Sequence, residues 1–550
     1  MNKASEFRDL AHVPKLASPD VFVPLLLLAL SAAGYGATCE GLSSISLPNG
    51  TVTSAGVVEA GKFVPPPPPQ GLGTFGGAPP RVNDLPAFCR VTATLKPSSD
   101  SDIKAEFWMP VSGWNGRFQP TAAGVFLGLL NYANMANILR TGAATATSDN
   151  GHEGGSGSFA LGHSEKLKDF AERAGHLTLV DAKRLIDSFY GKGPNLSLMN
   201  ECGGGGRTAM TEVQRYPDDL DMAMVGGLDT HSTHHTLGQM WVWQAAHSSP
   251  ESYIPAEKYP ILNRAALEAC DAKDGAKDGL IQDPTKCNFD PATVECQGAD
   301  TATCLTRAQV DTARKIYSPV RNSRTGEYLL GGLMPGSELG WGTMAGSQPF
   351  PYALEFFKYL EFKDPNWDYK TRPVNFDSDV AAADSPSNQI LNANNPDISK
   401  FVRHGGKLLL IGGWNDTAIA PSTNYDYFNS VVAKMGPKAK DSVRLFMVPG
   451  MGHCPGGNAP STFDLDTIAI LDKWRSTGQA PDQVIAQHRT AGQADRKLLV
   501  CAYPNAAIYK GRGAWTIQPI SVARQLLEAT QQNRATQHVP LIFATESNNP

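Results

Sequence analysis

An α/β fold split by a large insertion is what this sequence predicts, and three observations predict it. Between about residues 103 and 228, short apolar runs of strand length alternate with runs of helical spacing. The same alternation resumes at Lys407. Between 229 and 400 it gives way to Cys270, Cys287, Cys296 and Cys304 and to many Gly, Pro and Asn residues. Strand–helix alternation on both sides of an interruption implies a parallel sheet with helices on its faces.

The N-terminal run from Val21 to Leu30 is apolar and is followed by small residues up to Ala37. It is too short to span a bilayer. It has the character of a signal-peptide core, which makes residues 1–37 a leader cleaved near Ala37. The competing reading is a buried N-terminal helix. Export places the mature protein outside the cell or in the periplasm, where its nine cysteines should mostly pair and one is left over. Pro65 to Pro69 reads as a rigid surface connection.

Core patterns begin near Ile103. Ala143 to Ser148 reads as a strand. Ser164 to Arg173 and Leu177 to Tyr190 have helical spacing. Leu196 to Asn200 reads as a strand, followed by a glycine run and a helix through Tyr216. Met222 to Val225, Lys407 to Ile411 and Val443 to Val448 are buried strands, and Asp464 to Arg475 is a helix. No internal repeat is visible.

Composition excludes some functions. The formal net charge is −5 and no long Lys/Arg run occurs, so nucleic acid is not an expected partner. No membrane association is expected either. The absence of a Cys-x-x-Cys pair argues against zinc ribbons and thioredoxin-like chemistry. The glycine run is not followed by Lys-Ser/Thr, which excludes a phosphate-binding P-loop. Nothing in the sequence sets an oligomeric state.

Three segments follow buried strands and carry chemistry. They are Glu201 to Arg207, then Gly413 to Asp416, then Pro449 to Cys454. In α/β-hydrolases a nucleophile, an acid and a His come in that order, each on a loop after a strand. Asp416 and His453 fit the acid and the His: the carboxylate would hold the imidazole tautomer, and the imidazole would act as base and then acid. The nucleophile would belong to the first segment, and a glycine there has no side chain to attack an ester.

Asp149-Asn-Gly-His152, Phe159-Ala-Leu-Gly-His163, Cys202-x-x-Gly-Gly-Arg207, Gln214-Arg-Tyr-Pro217 and Gly450-Met-Gly-His-Cys454, taken in order, resemble the tannase and feruloyl esterase family, which includes the mono(2-hydroxyethyl) terephthalate hydrolases. The match covers roughly residues 39 to 510. It implies an α/β-hydrolase core, 38–228 and 401–550, with an inserted lid domain, 229–400. It implies hydrolysis of aromatic acid esters of feruloyl, galloyl or terephthalate type, with the substrate between lid and core. The family's elbow has Ser where this chain has Gly203, and a small residue where it has Glu201. Two readings follow: a serine-type esterase strongly impaired by loss of its nucleophile, or a non-catalytic protein that binds phenolic esters. Cys202 as a nucleophile is chemically reasonable, but the resemblance pairs it with Cys454. The remaining pairs it implies are Cys270–Cys287, Cys296–Cys304 and Cys39–Cys89, leaving Cys501 over. The oxyanion hole would use backbone N–H groups of Gly204 and Gly124.

Cys270 to Cys287 carries three carboxylates within eight residues, spaced by glycines. Hard oxygen donors at this density suit Ca²⁺, although the spacing is not that of an EF-hand. The resemblance implies a structural calcium loop with Asp271, Asp274 and Asp278 binding through side chains and Ala276 and Leu280 through carbonyls. His231-Ser-Thr-His234-His235 has the look of a zinc cluster but lacks a visible third ligand. His152 and His163 read as structural hydrogen-bonding residues. Trp341, Phe350, Phe356 and Phe357 are either lid core or surfaces on which an aromatic ring could stack.

Overall fold

The computed structural model describes residues 36–70, 80–455, 463–490, 493–511 and 515–519. The expected leader falls almost wholly outside the described residues. Along the chain run β1 (Gly50–Val58), β2 (Phe88–Leu95), β3 (Ile103–Pro110), β4 (Arg117–Phe118), β5 (Thr145–Ser148), α1 (Ala174–Tyr190), β6 (Leu196–Cys202), α2 (Gly203–Arg215), β7 (Met222–Gly226) and α3 (Ser232–Ala246). After a long excursion come β8 (Lys407–Gly413), α4 (Ser422–Met435), β9 (Val443–Val448), α5 (Thr467–Thr477), β10 (Gln483–Thr490) and β11 (Gln493–Cys501).

Strands β1, β2, β3 and β5 pair antiparallel in that order. The core therefore starts well before Ile103: Val91, Ala93 and Leu95 alternate inward along β2 and are buried. Strand β1 carries Thr, Ser and Gly, and none of its residues is fully buried, so it has no apolar alternation to read.

The other main sheet has the order β9-β8-β7-β6-β4, all parallel. Ala144 N–H donates to the Arg117 carbonyl (3.0 Å) and Gln119 N–H to the Ala144 carbonyl (2.9 Å). Strand β4 thus also runs beside the entry to β5 and links the two sheets. Along β8, Leu408 and Leu410 pack into one core cluster and Leu409 and Ile411 into another. A strand covered on both faces requires an unbroken apolar run, which is why β8 reads as one. Each such fully buried side chain contributes on the order of 1.5–3 kcal/mol.

The chain leaves this sheet at Gly226 and rejoins it at Lys407. Helices dominate the excursion more than its Gly and Pro content suggests. Helix α3 is enclosed on several sides, with Leu237 and Met240 in one cluster and Val242, Ala245 and Ala246 in another. Trp341, Phe356 and Phe357 are fully buried in these clusters, and Phe350 packs against them. They serve as core rather than as surfaces for a ligand ring.

At the C-terminal side, α5 begins later than the spacing predicts. Phe463–Asp464 is a short strand, and the Asp466 carboxylate accepts from Ala469 N–H to cap the helix. The β10–β11 hairpin was not anticipated. Disulfides join Cys39 to Cys89, Cys202 to Cys454, Cys270 to Cys287 and Cys296 to Cys304. Cys501 is free and buried. No helix among the described residues is long and apolar enough to cross a membrane.

Candidate active site

Parallel register brings the strand ends to one edge. Cys202 pairs with Gly226, Gly226 with Ile411, and Gly413 with Val448. The segments after β6, β8 and β9 emerge side by side there, and this is the edge where ligands bind in open α/β sheets.

Gly203 follows β6 directly and has φ 55°. That left-handed backbone makes the sharp strand-to-helix turn of a nucleophile elbow. The next three glycines are enforced by close approach. A Cβ on Gly204 would stand 2.5 Å from Val125 N, one on Gly205 2.6 Å from Glu201 Oε2, and one on Gly206 2.7 Å from Val225 Cγ1. Glycine costs a helix about 1 kcal/mol per residue, so the run is held by packing and not by helix propensity. Glu201 is accommodated sideways. Its carboxyl takes hydrogen bonds from Thr121 and Ala122, and burial pushes its pKa up to about 8, so it is mostly protonated at neutral pH.

Asp416 is completely buried. Its Oδ1 accepts from Ala418 N–H (2.8 Å) and Ile419 N–H (2.9 Å), and its Oδ2 lies 2.9 Å from His453 Nδ1. This places the imidazole proton on Nδ1 and leaves the Nε2 lone pair directed elsewhere. Nε2 faces the elbow, 2.8 Å from the point where a Cβ on Gly203 would stand. Burial lowers the His453 pKa, but the Asp416 charge and hydrogen bond, with a contribution from Asp229, outweigh it, and the net shift is upward. The Cys202–Cys454 bridge, with its Cα atoms 6.0 Å apart, ties the residue before Gly203 to the residue after His453.

Gly124 lies against the elbow: a Cβ on it would stand 3.5 Å from Gly204 N. Its neighbour Val125 has φ 55°, a strained conformation for a β-branched residue. A space of about 470 Å³ beside the elbow is walled by Gly124, Glu201, Cys202 and Pro455, among others. A second cavity, of about 670 Å³, is walled by Pro65 to Pro69, Tyr132 and Asp149 among others; neither space is lined by Gly203, Asp416 or His453.

One buried neighbour of the site, Asp229, escaped the sequence reading, and His235 was read only as part of a possible zinc cluster. Asp229, just past β7, is buried and lies 3.3 Å from His235 Nδ1. His235 Nε2 in turn lies 2.9 Å from the Ala418 carbonyl, which ties α3 to the acid loop. A signal existed, since Asp229 follows its strand much as Asp416 follows β8. His152 Nε2 meets the Phe126 carbonyl at 2.9 Å and His163 Nδ1 meets Asp100 at 3.0 Å. Arg207 donates to the Ala171 and Phe170 carbonyls.

The 271–280 loop is tightly wound. Asp271 accepts from the N–H groups of Asp278 and Gly279, Asp274 from Ala276, and Asp278 from Leu280. Asp274 Oδ2 is buried without a hydrogen-bond partner among the described residues. Burial first, then the Asp278 and Asp271 charges, push the Asp274 pKa up to about 6. A buried, unpartnered oxygen among like charges fits a hard cation. Asp278 is also held by Arg496 of the C-terminal hairpin.

An elbow, an acid and an imidazole in that chain order, after strands β6, β8 and β9 of one parallel sheet, make this an α/β-hydrolase. A family model described as tannase and feruloyl esterase matches residues 89–519. An uncharacterized esterase of Xanthomonas campestris pv. campestris is 33% identical over 533 residues, covering 88% of this chain and 91% of its own. A protein of Aspergillus oryzae named probable feruloyl esterase B-1 is 31% identical over 505 residues, covering 88% and 92%. The crystal structure of feruloyl esterase B from Aspergillus oryzae superposes with a TM-score of 0.77 at 30% identity, covering 87% of this chain and 99% of that one. Tannin acyl hydrolase from Aspergillus niger shares the fold, with a TM-score of 0.71 at 20% identity and coverage of 86% and 92%. The chain belongs to the tannase and feruloyl esterase family, whose members are carboxylic ester hydrolases acting on aromatic ester substrates.

Proposed function

We propose that this chain carries the binding and acid–base apparatus of an aromatic acid ester hydrolase, of feruloyl, galloyl or terephthalate type, with turnover strongly impaired because Gly203 stands at the nucleophile position. The observation that carries this reading is the Asp416–His453 pair, hydrogen-bonded at 2.9 Å, with His453 Nε2 directed at a side-chainless elbow. Asp416 fixes the Nδ1–H tautomer. His453 Nε2 would take a proton from a nucleophile and return it to the departing alcohol. Backbone N–H groups of Gly204 and Gly124 would hold the developing oxyanion, helped by the unpaired N–H groups opening α2. Losing the nucleophile of such a triad costs about 10⁶-fold in turnover.

The test compares hydrolysis of methyl ferulate and methyl gallate by the chain and by Gly203→Ser. The installed hydroxyl would attack the ester carbonyl while passing its proton to His453. The alcohol would leave with that proton, and water would then release the acid. Turnover restored by several orders of magnitude supports the esterase reading. Inertness of both proteins, with either ester bound, makes the chain a non-catalytic binder of phenolic esters. That second reading draws on the same missing side chain.

The excursion between β7 and β8 is proposed to act as a lid over the strand ends, close to the 229–400 expected from composition. A calcium ion is proposed for the 271–280 loop, held by Asp271, Asp274 and Asp278 and by the Ala276 and Leu280 carbonyls. Its role would be structural, bracing the loop against the C-terminal hairpin. Export, with the mature chain secreted or periplasmic, fits the four disulfides. Mass spectrometry of the N-terminus of the secreted or periplasmic fraction would overturn export if the leader stayed intact.

A further inference from the structure

His231 and His234 stand at the start of α3, and the sequence offers them no third ligand. The fold supplies one. Asp384, brought in from a distant helix end, places its carboxylate 3.0 Å from His234 Nε2 and 4.0 Å from His231 Nε2. The two imidazoles stack with centroids 3.6 Å apart, and one donor atom from each of the three residues lies within 4.8 Å of the others. We propose that His231, His234 and Asp384 form a binding site for a transition-metal dication of the zinc class, separate from the 271–280 loop and from Asp416 and His453.

Three features favour a cation there over a simple hydrogen-bonded cluster. First, His231 Nε2 is buried and has no hydrogen-bond partner among the described residues. A buried imidazole nitrogen aimed at a carboxylate beyond hydrogen-bond range is a costly orphan unless something lies between them. Second, His234 Nδ1 lies 3.4 Å from the Leu329 carbonyl. His234 Nε2 lies 3.0 Å from both Asp384 oxygens, a hydrogen bond through Nε2–H; the Leu329 carbonyl gives the ring proton a second place to go, on Nδ1, when Nε2 and the carboxylate turn to a metal. Third, Asp384 is braced from outside the cluster: Gln389 Nε2 donates to it at 3.1 Å and Thr233 Oγ1 at 3.4 Å. Outer hydrogen bonds that orient a carboxylate or imidazole ligand are the usual support of metal sites.

The chemistry of the donors selects the ion. Two imidazoles and a carboxylate suit zinc or its neighbours rather than calcium. Zinc–nitrogen bonds of about 2.0–2.1 Å require only that the side chains draw together. A cavity of about 240 Å³, bordered by His231, His234, Thr230 and Asp426, has room for water as a fourth ligand. Bound metal would pin the first turn of α3 to the segment carrying Asp384.

The full-length protein, stripped with chelator and dialysed against Co²⁺ or Zn²⁺, tests this. The wild type and an Asp274→Asn control, which alters the calcium loop, are expected to bind one equivalent of Co²⁺ with the visible absorption of a four-coordinate site. Zn²⁺ should raise Tm by about 2–4 °C. His231→Ala, His234→Ala and Asp384→Asn should each weaken that equivalent by at least tenfold. Absence of the equivalent from the wild type, or its survival in these variants, overturns the site. Should a variant fold poorly, diethyl pyrocarbonate labelling of the wild type decides: protection of His231 and His234 by Zn²⁺ supports the site, and equal labelling with and without metal overturns it.

Discussion

His453 Nε2 lies 2.8 Å from the point where a Cβ on Gly203 would stand. The imidazole thus occupies the space that a side chain at position 203 would enter. The nearest atom is the far end of a side chain and not backbone, so a small rotation of the imidazole can admit a serine. The φ of 55° at Gly203 already has the value an elbow nucleophile adopts. Gly203→Ser should therefore fold and gain at least about 10³-fold in turnover on an aromatic methyl ester, with His453→Ala in that background abolishing the gain. A stopped assay on methyl ferulate reads both. A gain that survives His453→Ala would show that another group is the base.

The pH profile of Gly203→Ser follows from His453. Its pKa lies above the ordinary 6.5, because Asp416 and Asp229 outweigh burial. A general base works only when unprotonated, so kcat/KM should fall as pH drops through a value above 6.5. Adding Asp416→Asn removes the main group that raises this pKa, and the acid limb should then move to lower pH while the rate falls by several orders of magnitude. A limb that stays in place would separate the titration from His453.

Glu201 makes stability depend on pH in a definite direction. Its folded pKa is about 8 against an ordinary value of 4.5, and burial is the cause. The folded state keeps the proton that the unfolded state gives up, so this site loses stability as pH rises from 4.5 toward 8. Glu201→Gln should add on the order of 2–3 kcal/mol at pH 7 and almost nothing at pH 4. Urea midpoints at the two pH values measure it, and an equal effect at both would contradict the assigned burial.

Gly204→Ala places a methyl 2.5 Å from Val125 N and 2.7 Å from Gly124 Cα, both backbone atoms that cannot step aside singly. A cost of about 2–4 kcal/mol is expected, typical of overpacking against rigid neighbours. At Gly56 the added Cβ meets nothing within 4 Å, so Gly56→Ala is the control and should change stability by less than about 0.5 kcal/mol. Equal costs at both positions would mean the elbow is looser than described.

The Cys202–Cys454 bridge closes a segment of 252 residues, for which the chain-entropy model gives about 5 kcal/mol. Cys202→Ala with Cys454→Ala should lower the urea midpoint strongly. In the Gly203→Ser background it should also lower kcat more than it raises KM, because the bridge sets the spacing of the two catalytic loops. A change in stability alone would make the bridge purely structural.

Much was legible in the chain because its signals are local. Strands β7 and β8 are buried and read as unbroken apolar runs. The residues that follow β6, β8 and β9 carry Gly203, Asp416 and His453 in the order the fold requires. Strand β1 was not legible, since none of its residues is fully buried and its Val and Ala residues do not alternate with polar ones. The start of α5 was misplaced because Asp466 caps it, a contact of one side chain with one N–H that apolar spacing does not report.

The sequence by itself determined the order of the buried strands β6 to β9, the family and the cysteines available to pair. Tertiary structure alone decided which distant groups meet. Arg496 reaches Asp278 across 218 residues, and Asp384 reaches His234 across 150. His235 clips α3 to the acid loop at Ala418. It also decided that Trp341, Phe356 and Phe357 are core, and that the three glycines after Gly203 are closely approached by their neighbours. The physical reason is that apolar periodicity records which face of a segment is buried, whereas contacts between segments depend on how the buried faces are stacked, and that is fixed only when the whole core closes.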